Sequence, residues 1–306
     1  MNVGYVVLYE DGELVISKNH TLLQKKIIKD YGEFEDTNVP WWPDGLHIKI
    51  VQILDSIKSN CVKEWFEDCI NLTKLINFKN LDVSDCIDFS YMFYNCESLQ
   101  DIYALQNWNV SNGTDFNSMF ASCKSLQDLN GLQNWDVSNG TDFSGMFASC
   151  KSLQYINELQ NWNVSSGTDF SYMFCNCQSL QDLKGLQNWD VSNGTDFLYM
   201  FECCESLQDL NGLQNWDVSN CTNFSFMFEF CKSLQDLNAL QDWNVSNGTY
   251  FNSMFASCES LQNILVSNTL NILRKDMFYK CNPTLKIHWK NHIYTYEDLL
   301  EYQTIY

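Results

Sequence analysis

The chain has 306 residues, 45% of them hydrophobic, and a formal net charge of −20. That acidic excess speaks against nucleic acid and anionic membrane surfaces as partners, because both are bound through Lys and Arg. No run of 18 apolar residues occurs, so no transmembrane helix and no membrane insertion is expected.

Residues 1–60 come first and carry no repeat. "YVVLYEDGELVIS" predicts a β-hairpin turning at Asp11-Gly12. "NVPWWPDG" holds two of the three prolines and predicts a fixed loop, and "LHIKIVQIL" predicts another strand. The segment is expected to form an N-terminal β-rich cap. Its opening lacks the basic and long apolar regions of a secretory signal peptide. The first cysteine, Cys61, lies too far in for a lipid anchor near the start.

Residues 61–281 repeat. Trp108, Trp135, Trp162, Trp189, Trp216 and Trp243 keep one constant step of 27 positions. Cys96, Cys123, Cys150, Cys177, Cys204, Cys231 and Cys258 keep the same step, as do the Met-Phe pairs from Met92-Phe93 to Met254-Phe255. The last unit is shortened, with Met277-Phe278 arriving before a full step is complete. Within one unit, Leu126 and Leu129 predict a short extended segment, and Trp135 and Val137 share one face of a second. Asn139-Gly140 marks a turn in which glycine would supply positive φ. Thr141-Asp142 would then open a short helix, with Phe143, Met146, Phe147 and Cys150 as its inward stripe at i, i+3, i+4 and i+7. One such unit buries too little apolar surface to offset the entropy of ordering its backbone, so units must stack. The expected fold is an α/β solenoid of about eight rungs, each with short strands and a short helix.

The tryptophan column is expected to point inward with its valine; exposed, it would instead be a sugar-binding strip. Fourteen cysteines without any CxxC pair argue against zinc and for a ladder of buried, reduced thiols. Residues 282–306 leave the repeat and are expected to form a C-terminal cap. There "TLKIHWK" predicts a strand and "TYEDLLEY" a short amphipathic helix.

The unit "NWDVSNGTDFSGMFASC" resembles the BspA-type leucine-rich-repeat surface proteins, whose rungs read "VSNVTDMSxMFxxCxSL". The opening "YVVLYEDGELVIS" and the later "WFEDCINLTKLINFKNLDVS" are similar to the leader of bacterial members, so the likeness covers nearly the whole chain. The resemblance implies a right-handed leucine-rich-repeat solenoid and protein binding, often adhesion at a cell surface. Two departures occur together. Gly113, Gly140, Gly167, Gly194 and Gly248, or Cys86 and Cys221, stand where the family has valine, and Phe89, Phe116 and Phe143 where it has methionine. A larger ring would fill the space a glycine leaves. The missing export signal sets a cytoplasmic location against the surface or secreted one that the resemblance implies.

No catalytic constellation or cofactor motif can be assembled, so no enzyme is expected. His20, His47, His288 and His292 lie outside the rungs; His288 and His292 have HxxxH spacing but alternate like a strand, and no metal is expected. One aspartate column (Asp101, Asp128, Asp182, Asp209 and Asp236) reads as a solvated ladder. A second (Asp88, Asp115, Asp142, Asp169 and Asp196) reads as first-turn helix residues, so calcium is not expected. The outward column opposite the stripe varies: Tyr91, Ser118, Gly145, Tyr172, Tyr199, Phe226 and Ser253. Tyr172, Tyr199 and Phe226, with Phe230 beside them and Tyr91 further along, are the candidate partner-binding residues. The expected function is a non-enzymatic interaction or adhesion module for a protein or glycan partner. The alternatives are a structural or antigenic surface array without one high-affinity ligand, and an intracellular scaffold.

Overall fold

A computed structural model describes residues 2–270, 273–302 and 304–305. Strands β1 (Asn2–Tyr9) and β2 (Glu13–Ser17) form the hairpin at Asp11-Gly12, where Gly12 takes φ +86°. β3 (Ile27–Glu35) pairs antiparallel with the other edge of β1, and β4 (Ile50–Ile53) runs parallel to β2. β5 (Ile57–Lys58) leads into the first rung. There β6 (Lys74–Ile76) pairs parallel with β4, and β7 (Leu81–Asp82) pairs parallel with β5. The five-stranded sheet therefore runs β3-β1-β2-β4-β6 and passes without a break into the repeat. It covers the edge that the first rung would otherwise leave open.

The rungs stack in parallel. Asp88, Asp115, Asp142, Asp169, Asp196, Asn223 and Tyr250 each form a parallel bridge to the next. Along the leucine segment the pairing continues, with the Gln154 and Gln181 N–H groups donating to the carbonyls of Gln127 and Gln154. One apolar core extends from Val3 to Leu299. Through it run stacked tryptophans, with Trp135, Trp162 and Trp189 at 6.4 Å and nearly parallel, and two phenylalanine columns beside them. The indole N–H groups of this column bond to the preceding rung: Trp135 donates to the Leu105 carbonyl and Trp162 to that of Leu132.

Three expectations fail in the rungs. No α-helix forms there, only short 3-10 helices such as Tyr103–Leu105 and Lys184–Leu186; the one α-helix among the described residues is α1 (Tyr296–Tyr302), near the C-terminus. The Phe143–Cys150 segment is instead a pair of tight turns. The N–H groups of Phe143, Gly145, Phe147 and Ser149 donate to carbonyls of the next rung, while Met146 and Cys150 close i→i−3 bonds to Phe143 and Phe147. A turn pair advances four residues per apolar pair and so gives the same i, i+3, i+4, i+7 spacing as a helix. Second, the Trp135–Val137 segment forms no strand. That edge is tied by side chains, as Asn139 Nδ2 donates to the Ser111 carbonyl at 2.8 Å. Third, Gly140 does not have positive φ. Its reason is space, because a Cβ there would lie 2.4 Å from Cζ of Phe143. The exchange of valine for glycine and methionine for phenylalanine is thus one packing change.

At the far end β8 (Asn263–Leu265) takes the place of the leucine segment, and β9 (Leu273–Arg274) follows in the shortened rung. β10 (Lys286–Trp289) pairs parallel with β8, β11 (His292–Thr295) antiparallel with β10, and β12 (Thr304–Ile305) antiparallel with β9. His288 and His292 sit on neighbouring strands, with Trp289 opposite His292. Of the expected caps and last rung, residues 1, 271, 272, 303 and 306 lie outside the described residues. No described helix is long and apolar enough to cross a membrane.

Candidate binding face

The turn pair sets what each rung shows to solvent. Its third and seventh residues take φ near +60°: Gly145 and Ser149 in one rung, Tyr172 and Asn176, Tyr199 and Cys203, and Phe226 and Phe230 in the next three. A turn with its i→i+3 bond and positive φ at the third position favours Gly, Asn and Ser, and bulky side chains there are costly. The serines, asparagines and glycine at these two positions were the sequence signal for turns rather than a helix.

Three successive rungs put large rings at this costly position, and the rings meet. Tyr172 and Tyr199 stack at 4.9 Å with 24° between planes, and Tyr199 and Phe226 at 4.5 Å with 6°. Tyr172 is 40% exposed; Tyr199, Phe226 and Phe230 are half-buried. Burial, with smaller contributions from nearby ionisable groups, raises the phenol pKa of both tyrosines. Tyr91 stands apart from the stack. It packs edge-on against Tyr94 at 5.5 Å, with the Ser118 and Gly145 rungs between it and Tyr172.

The position three residues further on reads Ala121, Ala148, Cys175, Glu202, Glu229 and Ala256. In the stacked rungs it carries reactive or charged groups. The Cys175 thiol donates to Glu202 Oε2 at 2.9 Å, and the half-buried Cys203 thiol to Oε1 of the same carboxylate at 3.4 Å. Burial and then Glu202 hold Cys175 protonated, and the same causes push Cys203 up to about 12. Burial, then repulsion from Glu202, raises the Glu229 carboxyl.

The repeated columns elsewhere serve the chain itself. The tryptophans Trp108, Trp135, Trp162, Trp189, Trp216 and Trp243 are 2–5% exposed. The ladder thiols point at backbone: Cys123, Cys150, Cys177 and Cys231 donate to the carbonyls of Phe93, Phe120, Phe147 and Phe201, and Cys96, Cys204 and Cys258 do likewise in their own rungs. Sequence reasoning missed this donor role, which needs the preceding rung to supply the acceptor. Neither aspartate column caps an α-helix. Asp142 Oδ1 accepts the Ser144 N–H at 2.8 Å inside the bridge ladder, and Asp128 Oδ1 accepts the Asn130 N–H at 3.0 Å. The second of these was expected to be a merely solvated ladder; it closes its own loop instead. Among the described residues no group of three His, Cys, Asp or Glu is placed to hold a metal ion.

A family model described as Mycoplasma protein of unknown function, DUF285, matches residues 60–184 and 181–288. The chain belongs to that family. Both matched stretches of this DUF285 protein lie on the rungs, and the second reaches β10. No curated protein is similar to it. Among solved structures it is similar to a leucine-rich repeat protein from Bacteroides ovatus ATCC 8483, 15% identical, covering 94% of this chain and 77% of that one, TM-score 0.40. It is also similar to a leucine rich cell surface protein from Faecalibacterium prausnitzii A2-165, 14% identical, covering 95% of each chain, TM-score 0.37. A leucine-rich repeat protein from Eubacterium ventriosum ATCC 27560 is 14% identical, with 96% of this chain and 99% of that one covered, TM-score 0.31.

Proposed function

We propose that this DUF285 protein is a non-enzymatic binding module that docks a protein partner on its turn face, over the Tyr172–Tyr199–Phe226 stack. The observation that carries this reading is the stack itself. Each ring sits at φ 57–60°, where a bulky side chain costs about 1–2 kcal/mol. The same column holds Ser118, Gly145 and Ser253, so the fold does not require rings there. Contiguous exposed aromatics mark interaction surfaces, and tyrosine and phenylalanine anchor such surfaces at low entropy cost. The face also changes from rung to rung while the inward columns do not, which favours a specific partner over an inert array.

The test is the triple variant Tyr172→Ser, Tyr199→Ser, Phe226→Ser, used as bait beside the unaltered chain in a protein extract. Serine is already present in this column, so the variant should melt within about 2 °C of the parent while losing the partner the parent retains. Equal recovery by both baits, or a collapsed melting curve, rules out the turn face as the docking site.

A further inference from the structure

Two thiols beside the aromatic stack share one carboxylate. Cys175 lies three residues after Tyr172, and its N–H closes a turn onto the Tyr172 carbonyl at 2.9 Å. Glu202 is its counterpart in the next rung, and Cys203 follows Glu202 directly. The Cys175 thiol donates to Glu202 Oε2 at 2.9 Å and the Cys203 thiol to Oε1 at 3.4 Å. The Asn176 N–H donates to the Glu202 carbonyl at 2.6 Å, so the two turn pairs are held one rung spacing apart at this point. One strand spacing and one residue step place the two Cα atoms about 6 Å apart, inside the span of about 4–7 Å that a disulfide bridges.

Other neighbouring cysteines are placed differently. Cys150 and Cys177 also stand one rung apart, but both are buried and each donates to a phenylalanine carbonyl. Cys61 is half-buried, yet Cys86 beside it is buried and donates to the Ser59 carbonyl. Cys175 and Cys203 are both half-buried, so a small reagent reaches them from solvent. The fold requires neither thiol. The Cys175 position holds Ala121, Ala148 and Ala256 in other rungs, and the Cys203 position holds Ser122, Ser149 and Ser257.

We infer that Cys175 and Cys203 form a redox modification site, closing to a disulfide across the Tyr172 and Tyr199 rungs with a low-molecular-weight disulfide as oxidant. Cys203 holds its proton by the longer bond, so its sulfur attacks the small disulfide first. One small thiolate leaves, and a mixed disulfide remains on Cys203. The Cys175 sulfur then attacks the Cys203 sulfur, the bond between them forms, and the second small thiolate leaves. Each released thiolate takes up one of the two protons that the protein thiols lose; the pair gives up two electrons and the oxidant accepts them. Glu202 sets the pace. Attack requires a thiolate, and burial together with the Glu202 carboxylate holds both sulfurs protonated. The pair therefore stays reduced through brief exposure at neutral pH and closes as pH rises or Glu202 is displaced. This site goes beyond the binding reading and requires no partner.

The test incubates the full chain with oxidised glutathione at pH 7, 8 and 9, quenches with acid, and maps disulfides by mass spectrometry of an unreduced digest. A linked Cys175–Cys203 peptide should appear, with the chain about 2 Da lighter, and its rate of formation should rise about tenfold per pH unit. At pH 8 Glu202→Gln should close the bond at least about tenfold faster. Glu202→Ala, which places there the residue of three other rungs, should do the same. Cys175→Ser should stop at the mixed disulfide on Cys203. The inference fails if Glu202→Ala, folded by its melting curve, gives no linked peptide at pH 9. It fails equally if the parent stops at the mixed disulfide, or if Cys61 and Cys86 link while this pair stays reduced. Closure of both Glu202 variants at the parent's rate also overturns it, because the shared carboxylate then does not hold the thiols.

Discussion

Single residues here are constrained by the neighbouring rungs as much as by their own. Gly140 is held at glycine because Cζ of Phe143 lies 2.4 Å from where a Cβ would stand, with the Val137 carbonyl at 3.0 Å. Gly140→Ala should therefore cost about 1–3 kcal/mol, read from chemical denaturation, and Phe143→Met in the same chain should recover most of it. Where Cys221 replaces this glycine, the Phe197–Phe224 spacing opens to 6.3 Å from the 5.5 Å of Phe170–Phe197. The thiols divide by neighbour. Cys61, Cys175 and Cys203 are half-buried, whereas Cys123, Cys150 and Cys231 are buried. A thiol reagent should label the first three in the native protein and the others only after denaturation. Glu202 also keeps Cys175 and Cys203 protonated. Glu202→Gln should thus speed labelling of both at pH 8, and unchanged rates would refute that coupling.

At the level of the element, the turn pair and the side-chain ladders do the work expected of helix and strand. Asn112, Asn139, Asn193, Asn220 and Asn247 each donate to a serine carbonyl of the preceding rung, and where the column has Ser166 its hydroxyl makes the same bond at 2.7 Å. Asn139→Ser should consequently change stability by less than about 0.5 kcal/mol, and Asn139→Ala should lose about 1 kcal/mol. Equal costs for the two would show that the ladder bond contributes nothing. The apolar spacing could not separate a helix from two turns, because both bring residues three and four apart to one side. The choice falls to the turns because stacked neighbours supply carbonyls to alternate N–H groups, and an isolated unit has no such acceptors.

The rungs share one continuous core with a column of protonated thiols through it. Desolvation raises these groups, to about 12 for Cys150 against an ordinary 9.0. Between those values the unfolded chain gives up protons that the folded chain keeps, so stability is complete below pH 9 and falls as pH rises toward 12. Each buried thiol contributes about 1.4 kcal/mol per pH unit in that window. Unfolding in reducing buffer should become steeply easier between pH 9 and 11, and replacing Cys123, Cys150 and Cys177 with alanine should flatten the slope even as it lowers stability at pH 7. An unchanged slope would contradict the buried column.

From the order of residues alone come the period, the stacked-unit architecture, the inward tryptophan, phenylalanine, methionine and leucine positions, and the outward column with its aromatic run from Tyr172 to Phe226. Those follow from spacing, since a side chain repeated at a constant step must meet its own copies when the units stack. Folding settled whatever depends on the neighbouring rung: turns in place of helices, glycine for space at Gly140 and its copies, thiols as donors to phenylalanine carbonyls, and aspartates closing their own loops. It also brought Tyr172, Tyr199 and Phe226 face to face. Hydrogen-bond partners and ring contacts a full rung away leave no local periodicity, so no reading of one unit alone could have assigned them.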